Sequence, residues 1–110
     1  MQDAIKTIIS IGLNDKDEHI QLLSIDNAKQ VVMRLAHDMA NIDCMTFAEV
    51  QGAWNGELEN TLQVIIILNR HEYKEHFKDN IRMFVSELRD VLNQQCIMIE
   101  TQVIEYVEFI

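Results

Sequence analysis

Five cations repeat along one stretch of the chain: Arg70, Lys74, Lys78, Arg82 and Arg89. At about 100° per residue they share a helical stripe roughly 120° wide that borders an apolar face. Like charges four residues apart repel, so the stripe asks for a reason. Two are open. The long stems cover the edge of a core while their heads reach water. Alternatively, Arg70, Lys74, Lys78 and Arg82 hold an anion such as a nucleotide.

Other constellations are weaker. His71-Glu72-Tyr73-Lys74-Glu75-His76 superficially resembles a zinc-protease helix, but its histidines are five apart and so lie roughly 140° apart around a helix. A metal pair there needs a spacing of four. Asn14-Asp15-Lys16-Asp17-Glu18 begins like a calcium loop, yet no glycine and no distant bidentate glutamate follow in register. Cys44 and Cys96 have no histidine or cysteine at ligand spacing. No Gly-x-Ser-x-Gly elbow occurs, and the three glycines are isolated, which leaves no phosphate loop. These residues predict a chain that is not an enzyme and carries no metal and no cofactor.

Charge speaks about partners. Eighteen acids face nine bases, for a formal charge of −9. Bulk nucleic acid and anionic membranes are disfavoured as direct partners. The acidic surface suits a basic protein, a cation, or plain solubility. Asp15, Asp17 and Glu18 in one loop, and Glu57 and Glu59 beside a turn, are the candidate partner contacts. Trp54, the single tryptophan, precedes that turn. It either packs across the hairpin or stands out as an interface anchor.

These residues are positioned by elements whose order is legible. Asn55-Gly56 is a strong hairpin signal, because a type I′ turn needs φ > 0 at both central residues. It joins strands predicted over 44–54 and 58–68. Lys6 to Leu13 is β-branched and apolar, a first strand. Ser24 caps a helix over 25–40, with Ala28, Val31, Val32, Leu35 and Met39 at helical spacing. Asn69 with Glu72 forms a capping box for a second helix reaching about Asn93. Its buried face carries Phe77, Ile81, Phe84, Val85, Leu88 and Leu92. Cys96 to Phe109 is the last strand, with a phase change at Ile104 that predicts a bulge.

The 110 residues make one domain, 1–110. The order βαββαβ predicts a ferredoxin-like α+β fold: a four-stranded antiparallel sheet, spatial order 4-1-3-2, with both helices on one face. The other face is uncovered, yet Val64-Ile65-Ile66-Ile67 is apolar at consecutive positions. Ile65 and Ile67, or their alternates along the strand, then point outward, which predicts a homodimer burying that face. Cys44 and Cys96 fall on opposite edges, too far apart for a disulfide. The start of the chain has no basic, apolar leader and no run approaches a membrane span, so a cytoplasmic setting is expected.

Three segments carry a resemblance. Ser10-Ile11-Gly12-Leu13, Val50-Gln51-Gly52-Ala53-Trp54 and Leu92-Asn93-Gln94-Gln95-Cys96-Ile97-Met98 occur in the order seen in a family of small bacterial and phage domains of unknown function. The chain resembles that family in a Gly-containing first strand, a Gly-x-Trp-like second strand and a Gln-rich lead into the last. The resemblance implies a ferredoxin-like fold and transfers no catalytic residue. In size and charge alone the chain is also similar to phage inhibitors of bacterial defence such as anti-CRISPR proteins. The expectation is a non-catalytic acidic protein of phage or mobile-element origin that occupies a basic, nucleic-acid-binding site on a host protein. The alternative is a small module that binds an anionic ligand through the second helix.

Overall fold

Six elements follow one another in the computed structural model, which describes residues 2–69 and 75–110. They are β1 (Gln2–Gly12), α1 (Ile25–Ala40), β2 (Thr46–Trp54), β3 (Glu57–Asn69), α2 (Glu75–Val91) and β4 (Met98–Val107). The strands form one sheet in the order β2-β3-β1-β4, with every neighbouring pair antiparallel. This is the expected ferredoxin-like arrangement.

Local chemistry accounts for the boundaries. Ser24 Oγ accepts from the Asn27 N–H at 3.1 Å and opens α1. Asn41 closes it in the left-handed region at φ 54°, where the N–H groups of Asn41 and Ile42 donate to His37 O and Ala36 O. At the hairpin, Asn55 and Gly56 take φ of 50° and 80°, as a type I′ turn requires. The bulge is also present. Ala4 pairs with Ile104 but Gln2 pairs with Val107, so β4 carries one residue more than β1 over that step.

The core lies between the sheet and the helices. Ile9 and Ile11 of β1, Leu62, Val64 and Ile66 of β3, and Phe84 and Leu88 of α2 are all buried there. Each such side chain contributes about 1.5–3 kcal/mol on burial. Alternation then sends Ser10, Gly12, Thr61, Gln63, Ile65 and Ile67 to the opposite face. Ile65 and Ile67 stand half-buried there.

Several expectations shift. β1 begins earlier than Lys6, because its N-terminal half still pairs with β3 and β4. Cys44 and Cys96 lie just ahead of β2 and β4 rather than inside them; both are exposed free thiols. Asn69 ends β3, and the Asn69–Glu72 capping box, with Arg70, His71 and Lys74, runs into the segment outside the described residues. Among the described residues no helix is long and apolar enough to cross a membrane.

Candidate functional site

One end of the sheet opens into a cleft of about 360 Å³. Its floor is the strand surface at Ser10, Gly12 and Thr61. One wall is the loop after β1, with Asn14, Asp15, Lys16 and His19. A second is the β2–β3 hairpin with Gly52, Trp54, Glu57 and Glu59, and a third is the lead into β4, from Gln94 to Met98. The volume falls in the range of small-ligand sites. The three segments that carry the family resemblance thus meet here, although they lie far apart in the chain.

Glu59 is the central acidic group. In the sheet it stands opposite Gly52 on β2. Its carboxylate lies over Gly12: a Cβ on that glycine would sit 2.2 Å from Glu59 Oε1. The missing side chain at Gly12 is therefore what admits the carboxylate. Glu59 Oε2 accepts from the Asn14 N–H at 3.1 Å. Glu57 faces His19 across the cleft at 3.7 Å. Trp54 remains 51% exposed at the cleft wall, so it does not bury itself across the hairpin.

Asp15 behaves differently from its neighbours. It is only 9% exposed. Its carboxylate accepts from the N–H groups of Asp17 and Glu18, both at 3.0 Å, and from Asn93 Nδ2 at 2.8 Å. The Asn93 amide, with the two backbone donors, holds the carboxyl below the usual carboxylate range. Asp15 is an inward anchor of the loop. Asp17 and Glu18 are exposed beside it, and Asp17 accepts from the same Asn93 amide at 2.9 Å.

Of the sequence candidates, Asp15, Trp54, Glu57 and Glu59 come together at this cleft. Ile65 and Ile67 lie on the same open sheet face, further along β3. Among the described residues of the basic stripe, none lines the cleft. Lys78 and Arg82 are exposed on α2, while Arg70 and Lys74 lie outside the described residues. No trio of His, Cys, Asp or Glu is grouped for a metal ion among the described residues. The sequence did not mark Asn14 or Gln94 as site residues; the Gln-rich motif was the one signal for Gln94, and Asn14 stood out only in a loop that begins like a calcium site.

Two solved structures share this fold along nearly the whole chain. A phage SAM lyase in complex with S-methyl-5'-thioadenosine aligns with a TM-score of 0.75, at 22% identity, over 94% of this chain and 90% of that chain. A phage SAM lyase in its apo state aligns with a TM-score of 0.71, at 21% identity, over 96% and 91%. At that identity the likeness shows the fold. No protein-family model matches the chain, and no curated protein matches it in sequence.

This finding overturns the expectation that the chain is not an enzyme. Both of these structures are of a lyase, an enzyme. Nucleophiles, metal sets and phosphate loops are not required of a lyase whose substrate carries its own leaving group, so a sequence without their signals does not exclude one. Nothing in the comparison supports an anti-CRISPR action or the occupation of a basic host site; the neighbours' phage source fits the expected connection to phages.

Proposed function

We propose that this chain cleaves S-adenosylmethionine, with the hairpin-end cleft as its active site. The observation that carries the reading is the Glu59 carboxylate, held over Gly12 in a cleft walled by Trp54, within a fold shared with a lyase over 94% of the chain.

The substrate's charges fit the cleft. S-adenosylmethionine bears a sulfonium and an ammonium, and an acidic cleft concentrates such a cation. The bond between sulfur and the γ-carbon of the amino-acid part breaks. Its electron pair returns to sulfur, which leaves as the neutral thioether of S-methyl-5'-thioadenosine. The substrate's own carboxylate closes on the γ-carbon, so the remainder departs as a five-membered lactone that keeps its ammonium. No proton moves, so the step needs no general base and no protein nucleophile. The sulfonium loses its charge during this step and the ammonium does not. A carboxylate close to sulfur would oppose the reaction, so Glu59 is assigned to the ammonium. From there it orients the amino-acid part for closure. Trp54 offers a ring face to the adenine.

Under this reading the acidic cleft receives a cationic substrate. An anti-defence role would then run through loss of the methyl donor and not through a basic host site. Assembly through the open sheet face belongs to the same proposal: the half-buried Ile65 and Ile67 support a second copy there. Ile65→Lys should dissociate it in light scattering, because a charge buried without a partner costs several kcal/mol.

The test is direct. Purified protein is incubated with S-adenosylmethionine and S-methyl-5'-thioadenosine is followed by chromatography. Product should appear in step with substrate loss, and Glu59→Gln should lower kcat/KM about a hundredfold. Folded protein that neither forms nor binds S-methyl-5'-thioadenosine would refute the reading.

A further inference from the structure

We propose that Gln94 is a positioning residue that fixes the Glu59 carboxylate through the backbone of Asn14. The inference deepens the reading of the cleft as an active site and rests on it.

The chain of contacts is short. Gln94 is 8% exposed and enters between α2 and β4. Its Nε2 donates to Asn14 O at 2.9 Å and to Leu92 O at 3.3 Å. The Asn14 N–H donates to Glu59 Oε2 at 3.1 Å, and Asn14 Nδ2 donates to Leu58 O at 3.3 Å. Asn14 is therefore gripped by Gln94 on its carbonyl side and bound to the Glu59 strand on its amide side. An amide buried this far loses much when its donors are left unmatched, so the grip is firm.

Neighbouring geometry keeps Gln94 in place. Asn93 takes a left-handed conformation at φ 49°, and the Gln94 N–H then donates to Arg89 O at 2.9 Å, closing α2. That turn aims Asn93 at the same loop. Its carbonyl accepts from the Lys16 N–H at 3.0 Å and its amide reaches both Asp15 and Asp17. The helix end thus holds the cleft wall at four successive loop residues, Asn14 to Asp17, and Gln94 holds the one that touches Glu59.

A carboxylate on a flexible stem is useful in a site only where its neighbours fix its position. Gly12 gives Glu59 room, and Asn14 gives it a bearing. The bridge from Asn14 to Gln21 and the Asn14 side chain on Leu58 O keep the loop in place, and the Gln94 amide adds the grip on the Asn14 carbonyl that sets the angle of its peptide; without it the N–H is aimed less firmly at the carboxylate.

The experiment is a double-mutant cycle on Gln94→Leu and Glu59→Gln, read by S-methyl-5'-thioadenosine formation and by calorimetric binding of that compound. Gln94→Leu alone should lower kcat/KM about tenfold. In the Glu59→Gln background the same change should cost nearly nothing, because its target is already gone. Gln94→Glu should behave like Gln94→Leu at neutral pH, since a carboxylate cannot donate to Asn14 O. Equal losses in both backgrounds would overturn the inference while leaving the reading of the cleft intact. If the wild-type protein shows neither turnover nor binding, it is the reading that fails. Hydrogen exchange at the Asn14 amide then still decides the positioning: Gln94→Leu should speed it, and an unchanged rate would refute the contact chain.

Discussion

The two ends of the sheet are built on different principles. At the hairpin end, polar side chains tie together segments far apart in sequence: Asn14 to Glu59, Asn60 to Gln21, Asn93 to Asp15, and Gln94 to Asn14. At the opposite end, a cavity of about 500 Å³ is lined by Ala40, Ile42, Ile67, Leu68 and Phe77 together with the polar Asn41, Asp43 and Asn80. The polar pair described there, His37 with Asp43, spans only six residues. Among the described residues, no side-chain hydrogen bond like those at the hairpin end ties distant segments there, and apolar burial, which tolerates small shifts, does more of the holding. The hairpin end is held by directional contacts, which set atoms to within tenths of an ångström. A site that must orient a substrate belongs at the second kind of end.

The largest test of this contrast is at Glu59 and Gly12. Glu59→Gln should cost about a hundredfold in kcat/KM with the melting temperature nearly unchanged. Gly12→Ala should act through the same group. Its new Cβ would meet the end of a flexible side chain, so the carboxylate moves and the strand stays. Activity should fall by at least about tenfold, again with little loss of stability. Urea unfolding beside the activity assay separates the two effects; a large stability loss with activity retained would break the assignment.

The two cysteines sharpen the comparison, because each stands at one end. Cys96 lines the hairpin-end cleft and Cys44 lines the cavity at the other end. S-methyl-5'-thioadenosine at about ten times its Kd should slow alkylation of Cys96 about tenfold, as occupancy leaves roughly one site in eleven free. Cys44 should alkylate at an unchanged rate. Mass spectrometry of the labelled protein reads both at once. Protection of Cys44 alone would move the site to the other end.

Trp54→Ala is expected to weaken binding of the same compound about tenfold, the worth of one stacked base. Calorimetry measures it. An unchanged Kd would remove the ring from the site.

Legibility in the sequence follows the range of the interaction. Asn55-Gly56, Ser24 and the two amphipathic helices were readable because turns, caps and helical faces are decided within a few residues. The site was readable only in part. Glu57, Glu59 and Trp54 stand out in the sequence as acids and an aromatic beside a turn, a pattern that suits a basic protein as well as a small cation. The seat of Glu59 over Gly12 joins residues on different strands and leaves no local signal. Asp15 looked like a surface contact because the Asn93 amide that turns it inward lies 78 residues away. Gln94 belonged to a noticeable motif, yet its partner Asn14 is 80 residues away.

The two ends should also answer pH in opposite directions. At the hairpin end, Asp15 has its carboxyl held below the ordinary 3.8 by the Asn93 amide and two backbone N–H groups. Its contribution to stability is whole above 3.8 and fades as pH falls through the lowered folded value. At the other end, the Asp43 carboxylate lies 2.6 Å from His37 Nδ1 and raises the imidazole above 6.5. That contribution is whole below 6.5 and fades as pH rises through the raised folded value. Both are small effects, His37 above all, since its imidazole and the Asp43 carboxylate are well exposed. Unfolding midpoints for Asp15→Asn and His37→Gln, each against wild type from pH 2.5 to 8.5, resolve them. The Asp15 difference should shrink toward the acid limit and the His37 difference toward the alkaline one. If Asp15→Asn instead keeps its full cost at pH 2.5, its anchor role rests on shape and not on charge, and the hairpin end would be less electrostatic than its hydrogen bonds imply.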